Sequence, residues 1–461
     1  MSNIWHTKEE PFLGLQGMGG GASSLMWTSS GTTKYNLFTW GSNAYGELGL
    51  NQGWRPADNP LPSQPSKSSP TQIPGDWFAV YGGNGYEKRW QMGAKDEEDT
   101  LWTWGNNGNG VLGHNEMDDQ PHNANKSSPT QIPGSWKFAG AGNESALGLK
   151  DDGHLYGWGA GSYGIYGGGH PQPTVYNVSS PCQLGSHFDQ SGRNWVADTK
   201  KWSINRTAYF LINDLDELWC WGSNSKGALG QNESFNQMYS SPVQIPGSWY
   251  SVDCHSRGNS VSAIKTDGNL YYWGSSAEYI PWPTSAQDRS SPTLMPGGPY
   301  IRSSMRSGKN GNMIVRNPTA GVAGSPTSTM WYMGQAEYGL KGNNDTAGSA
   351  PNGYGTISSP IQIGGPTSTG WSRYVEVNHF NAACAIKYDG TMWTWGSNNY
   401  GQLGHSQSGS PTQPWFPGPM RLGVSRSSPT QIPGTWGNVA ADDTKEYILK
   451  RRMGFSALQK Q

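Results

Sequence analysis

Few residues in this 461-residue chain stand in spacings that could do chemistry. An imidazole can act as general base or metal ligand, but His114 and His405 each follow a Leu-Gly step where other parts of the chain carry Leu50 or Gln231. None of the remaining histidines shows an HExxH or other paired-ligand spacing, so a structural role at a turn is expected for both. The acidic run KDEED, with its carboxylates at 96–99, lacks the alternating Asp/Asn pattern and closing Glu of a calcium loop and reads as a solvated turn. Asn106–Gly110, NNGNG, has the glycines of a phosphate-cradling loop but neither its lysine nor a following helix. Cys182, Cys220, Cys254 and Cys384 are too far apart for a CxxC redox or zinc site and are expected as reduced thiols. No catalytic residue, metal site or cofactor is assigned.

Binding chemistry is better represented. Three long loops carry Trp54 and Arg55, Trp282, and Trp415, Phe416, Met420 and Arg421, each stiffened by prolines. Aromatic and arginine side chains on such loops are the residue types that dominate protein interfaces, and these seven form the candidate binding surface. The alternative is that each tryptophan folds back over its own part of the chain.

The elements that hold those loops repeat. LFTWGSNAYGELGLN at Leu37–Asn51 returns as LWTWGNNGNGVLGHN at Leu101–Asn115, LWCWGSNSKGALGQN at Leu218–Asn232 and MWTWGSNNYGQLGHS at Met392–Ser406. The glycine ending the aromatic segment recurs at Gly41, Gly105, Gly159, Gly222, Gly274, Gly334 and Gly396, and a second phrase, typified by SSPTQIPG at Ser127–Gly134, also occurs seven times. Each unit reads as four short β segments. Asp-Gly turns such as Asp152-Gly153 mark a hairpin, and the two prolines of the second phrase suit an edge strand. Aromatics two apart, as at Trp102 and Trp104, share one strand face, while Leu101 and Thr103 lie on the other. Both faces thus look buried, which packing of neighbouring sheets would achieve; the segment is expected to be the inner stacking strand of each blade.

This pattern, Leu-aromatic-x-Trp-Gly-x-Asn-x-x-Gly-x-Leu-Gly followed by Pro-x-x-Ile-Pro and a tryptophan, resembles the repeat of the regulator of chromosome condensation family across roughly residues 22–449. The resemblance implies an all-β, seven-bladed β-propeller of four-stranded antiparallel blades. The first blade would be closed by the C-terminal end, because Ala22–Trp27 and Thr435–Arg452 both offer strands for it. Residues 1–21 read as a Gly-rich arm and 450–461 as a basic tail. The fifth unit lacks the Gly-x-Leu-Gly stretch and the sixth has Met333 in the tryptophan position, so these two blades are expected to be the least regular.

Composition narrows the function. With 14% charged residues and a net charge of −1, broad attraction to nucleic acid or to an anionic membrane is not expected. No signal sequence or membrane-inserting segment is read. Three functions remain: a non-enzymatic structural component of a bacteriophage particle, an exchange factor for a small GTPase as the family resemblance implies, or an adhesin-like or inhibitor-like propeller. The first is preferred because the N-terminal residues Met1–Ser24 are similar to the starts of phage-encoded propellers. It makes other virion proteins, or a host surface protein or glycan, the partners and the virion the location.

Overall fold

Tight turns fold each unit back on itself. In the third unit Ser145–Lys150 runs into the turn Asp151–Gly153 and returns as Leu155–Gly159, pairing Ser145 with Gly159 and Leu149 with Leu155. Preceded by Trp136–Ala141 and followed by Val178–Gln183, these strands make a four-stranded antiparallel sheet in chain order. The computed structural model describes residues 34–460 with interruptions, the longest at 53–65, 162–176, 276–287, 344–355 and 407–424.

The same construction gives four more sheets, all in chain order. Trp202–Ile204, Ala208–Ile212, Leu218–Ser223 and Met238–Ile245 form one. Trp249–Cys254, Ser260–Lys265, Leu270–Gly274 and Arg289–Leu294 form the next. Met305–Ser307, Gly311–Arg316, Thr329–Gln335 and Thr356–Gln362 follow, then Trp371–Val377, Ala382–Lys387, Met392–Gly396 and Arg426–Ile432. The fifth and sixth units therefore build four strands each despite their broken phrases.

The described residues thus form an all-β propeller of four-stranded antiparallel blades, but with six sheets rather than the seven expected. The sixth sheet has seven strands, in the order Ile448–Arg451, Gly454–Lys460, Tyr35–Gly41, Lys67–Tyr81, Trp90–Lys95, Thr100–Gly105 and Lys126–Ile132. Its continuity has a local cause. Lys67–Tyr81 runs on through Pro74 and Gly75, pairing with Tyr35–Gly41 through Lys67–Ile73 and Trp77, and with Trp90–Lys95 through Trp77–Tyr81. At the corresponding place after Lys126–Ile132 the chain bends, and a new sheet starts at Trp136. Residues 454–460, read from sequence as part of a tail, are a strand paired with Tyr35–Gly41 from Tyr35 opposite Lys460 to Gly41 opposite Gly454. Ala22–Trp27, the other segment offered for that place, lies outside the described residues.

The aromatic strand is not innermost, contrary to expectation. The first strands of successive sheets touch in chain order, and Lys67–Tyr81 touches both Ile448–Arg451 and Trp136–Ala141, which closes the series on itself. The strand bearing Trp158 is third of four in its sheet and the strand bearing Trp104 is sixth of seven in its own; each lies next to the edge strand, Val178–Gln183 or Lys126–Ile132, with its proline. The aromatic strand is buried on both faces because neighbouring sheets cover it: Trp40, Trp104, Trp158, Trp221, Trp273 and Trp395 are wholly buried. Their side chains fill the spaces between sheets, where they supply the main apolar area that holds the ring.

Candidate interaction surface

The repeated phrase spends its polar groups on joints between sheets. In four units the indole N–H donates to the residue after the first glycine of the preceding unit's Gly-x-Leu-Gly, or of the Gly339-Leu340-Lys341-Gly342 that stands in its place: Trp40 to the Gln402 carbonyl at 2.9 Å, Trp158 to Val111 at 2.9 Å, Trp273 to Ala228 at 2.7 Å and Trp395 to Leu340 at 3.0 Å. Trp104 lies against Gly49 in the same position without an acceptor for its Nε1. The asparagine of the phrase shapes the loop from within, its Oδ1 accepting from Leu48, Leu112, Leu229 or Leu403 N–H at 2.9–3.0 Å. The loop then reaches the next unit. Asn51, Asn115, Asn232 and Ser406 donate their backbone N–H to the carbonyls of Ser127, Ser179, Ser290 and Ser68, the first serine of the second phrase. Gly110 is needed there: its φ is +75°, and a Cβ would sit 2.6 Å from Ser179 Cα. The two phrases recur together because one is the socket for the other.

His114 and His405 belong to these joints. Thr103 Oγ1 donates to the Leu112 carbonyl at 2.7 Å and meets His114 Nε2 at 2.9 Å; Thr394 repeats this with Leu403 and His405. Because each hydroxyl hydrogen is committed to a carbonyl, the neutral imidazole carries its hydrogen on Nε2. Burial, and then Lys126 beside His114 or Arg426 beside His405, hold both histidines below their ordinary value of 6.5. Among the described residues no cluster of three or more His, Cys, Asp or Glu could hold a metal. The four cysteines are unpaired thiols, with Cys220, Cys254 and Cys384 buried and Cys182 exposed.

The predicted binding residues Trp54, Arg55, Trp282, Trp415, Phe416, Met420 and Arg421 all lie outside the described residues, as does the acidic run at 96–99. Asn106–Gly110 is a turn of the repeat, as read, with a short 3-10 segment at Gly108–Gly110.

A site that sequence reasoning missed lies at the opposite end of the third strand. There a lysine ending the second strand is held between two aromatics: Lys150 Nζ is 5.0 Å from the Trp136 ring centre and 4.1 Å from Tyr156, and Lys265 is 5.1 Å from Trp249 and 4.6 Å from Tyr271. Lys387 lies 4.9 Å from both Trp371 and Trp393. Electrostatic attraction to the ring faces fixes each ammonium. The Lys387 group borders a depression of about 360 Å³, lined also by Asn343, Ser368, Ser428 and Pro429. The cause is a longer connection. Three residues separate Ile132 from Trp136 and Ile245 from Trp249, but seven separate Ile363 from Trp371. The signal was in the sequence, as IGGPTSTGW in place of IPGSW.

Comparison with known proteins agrees with this construction. The regulator of chromosome condensation (RCC1) repeat matches residues 98–142 and 389–440. The ultraviolet-B receptor UVR8 of Arabidopsis thaliana is 22% identical over 70% of this chain and 68% of its own length. The E3 ubiquitin-protein ligase HERC2 of Mus musculus is 24% identical over 72% of this chain but only 6% of its own length. Among solved structures, human WBSCR16 superposes with a TM-score of 0.67 at 18% identity, covering 93% of this chain and 99% of that one. Prp20p of Saccharomyces cerevisiae, described with its binding to Gsp1p and histones, superposes at 0.64 and 15% identity, covering 93% and 92%. Read with the two phrases that each occur seven times, these matches show that the chain carries RCC1-like repeats and shares the propeller fold of those structures.

Proposed function

We propose that the protein is a non-enzymatic scaffold that binds other proteins through surfaces outside its repeated phrases. The observation that carries this reading is the use of those phrases: their indoles, asparagines, threonines and histidines are hydrogen-bonded into joints between sheets. A group whose donors and acceptors are committed to the ring is a poor candidate for chemistry on a substrate. Binding then falls to the long loops and to the Lys387 depression. Changing Trp54, Trp282 and Trp415 together to Ala should weaken association with a captured partner while leaving the circular dichroism spectrum intact. Undiminished association would return those side chains to a structural role.

The partners in this reading are other proteins of a bacteriophage particle, to which the chain contributes a capsid, neck or tail appendage component. Its support is the likeness of Met1–Ser24 to phage-encoded propellers and the charge-poor composition. A second reading, nucleotide exchange on a small GTPase, draws support from the propeller likeness to Prp20p, whose structure was described with Gsp1p binding. Added protein would then accelerate nucleotide release from host GTPases; the scaffold reading expects no acceleration.

The ring in this account has seven blades. The seven-stranded sheet is taken as two blades sharing Lys67–Tyr81, because the two halves of that strand pair with different neighbours. An experimental density map with six blades around the axis would contradict this.

A further inference from the structure

The Lys387 depression can be judged against its own repeats. In the third unit the turn after Ile132 covers the sandwiched lysine: a Cβ on Gly134 would stand 3.4 Å from Lys150 Cε and 3.5 Å from its Nζ. In the fifth unit a Cβ on Gly247 would stand 2.9 Å from Lys265 Cε and 3.1 Å from Nζ. Before the seventh unit the longer connection moves away, and a Cβ on Gly365 would meet nothing within 4 Å. Its tryptophan is held differently as well: Trp371 Nε1 donates to Ser368 Oγ at 3.2 Å, whereas Trp136 donates to the Pro133 carbonyl and Trp249 to that of Ile245.

The chemistry left open is that of a positive charge. Among the described residues, the ion pairs formed do not include Lys387. Asp389, the nearest carboxylate in sequence, accepts instead from Thr391 N at 2.9 Å and Thr391 Oγ1 at 2.6 Å. Trp371 and Trp393 already hold one cation between them, which disfavours a second cation and leaves the ammonium's donors as the recognition element. A volume of about 360 Å³ is near the low end for ligand pockets, roughly 300–1,000 Å³, and suits one side chain with its flanking backbone. Ser428 and Pro429 belong to Arg426–Ile432, the edge strand of their sheet, beside which an extended chain can lie.

We propose that the depression between Ile363–Trp371 and Ser428–Pro429 binds the carboxylate of an Asp or Glu side chain on an extended segment of a partner protein, with Lys387 as the ion-pairing group. The site rests on the reading of the chain as a protein-binding propeller and gives that reading a place and a charge.

The test is fluorescence anisotropy of the full chain with a labelled Glu-rich peptide, its Gln-rich counterpart, and digalacturonate as competitor. The Glu-rich peptide should bind and lose affinity as salt is raised, and the Gln-rich peptide should not bind. Lys387→Gln should weaken binding about tenfold or more, the effect of losing a charge-assisted contact. Lys387→Arg should largely retain it, and Lys265→Gln, which changes the covered sandwich, should leave it unchanged. Should Lys387→Gln fail to fold by circular dichroism, Ser368→Trp fills the depression without touching the lysine and should abolish binding. Equal binding of both peptides, no binding of either, or equal losses in Lys387→Gln and Lys265→Gln would overturn the site. Full binding by Ser368→Trp would do the same, and digalacturonate competing at lower concentration than the peptide would make it an acidic-sugar site. A partner still captured by Lys387→Gln sinks only this site; absence of any partner for the native chain sinks the scaffold reading.

Discussion

Trp40 Nε1 donates to the backbone carbonyl of Gln402 at 2.9 Å, across 362 residues of sequence. The pair joins the first aromatic strand to the last Gly-x-Leu-Gly loop, and both residues are wholly buried. Trp40→Phe leaves that carbonyl without its donor. The expected loss is about 1–3 kcal/mol for a buried group left unpaired, read as a lower denaturant midpoint. Trp104→Phe is the control, since Trp104 has no acceptor to lose; equal losses would show that ring volume alone matters.

Gly110 and Gly365 separate conformation from contact. Both have positive φ, +75° and +78°, but only Gly110 faces Ser179 at 2.6 Å while Gly365 faces open space. Alanine at 365 should cost about 1–2 kcal/mol, the left-handed penalty alone. Alanine at 110 should cost clearly more in the same urea titration, because the neighbouring sheet's backbone must shift.

The two histidines make stability depend on pH. Burial lowers both from 6.5, so the folded chain binds fewer protons than the unfolded chain as pH falls. Stability from these groups is therefore fully present above about 6.5, the unfolded value, and declines as pH falls from there toward the folded values. His114→Gln with His405→Gln, which copies the residue found at Gln231, should flatten the melting temperature profile below neutrality. An unchanged profile would place the titration elsewhere.

Met333 tests whether the broken phrases are coupled. It is wholly buried where other units have the donor tryptophan, and the unit before it lacks Gly-x-Leu-Gly. Met333→Trp should restore no hydrogen bond and should destabilise by about 1–3 kcal/mol through overpacking. A higher melting temperature would mean that an acceptor is available there.

Much of this was legible in the sequence because the joints are written in residues with narrow uses. Asp-Gly placed the hairpins, and alternating aromatics such as Trp102 and Trp104 marked a strand buried on both faces. Position within the sheet was not legible: burial on both faces describes the third strand as well as the first, so the aromatic strand was placed innermost. Nor could the sequence show that Lys67–Tyr81 would stay continuous, since Pro74-Gly75 reads like Pro133-Gly134, where the sheet breaks. The lysine sandwiches were missed because Lys150, Lys265 and Lys387 end strands as ordinary exposed residues do, and their aromatic partners come from other strands.

The central claim is that this propeller works by holding other proteins. Cross-linking mass spectrometry on purified bacteriophage particles tests it most directly. The account predicts that the chain is present and cross-linked to at least one other particle protein. Its absence from the particles, together with accelerated nucleotide release from a host GTPase, would contradict the account.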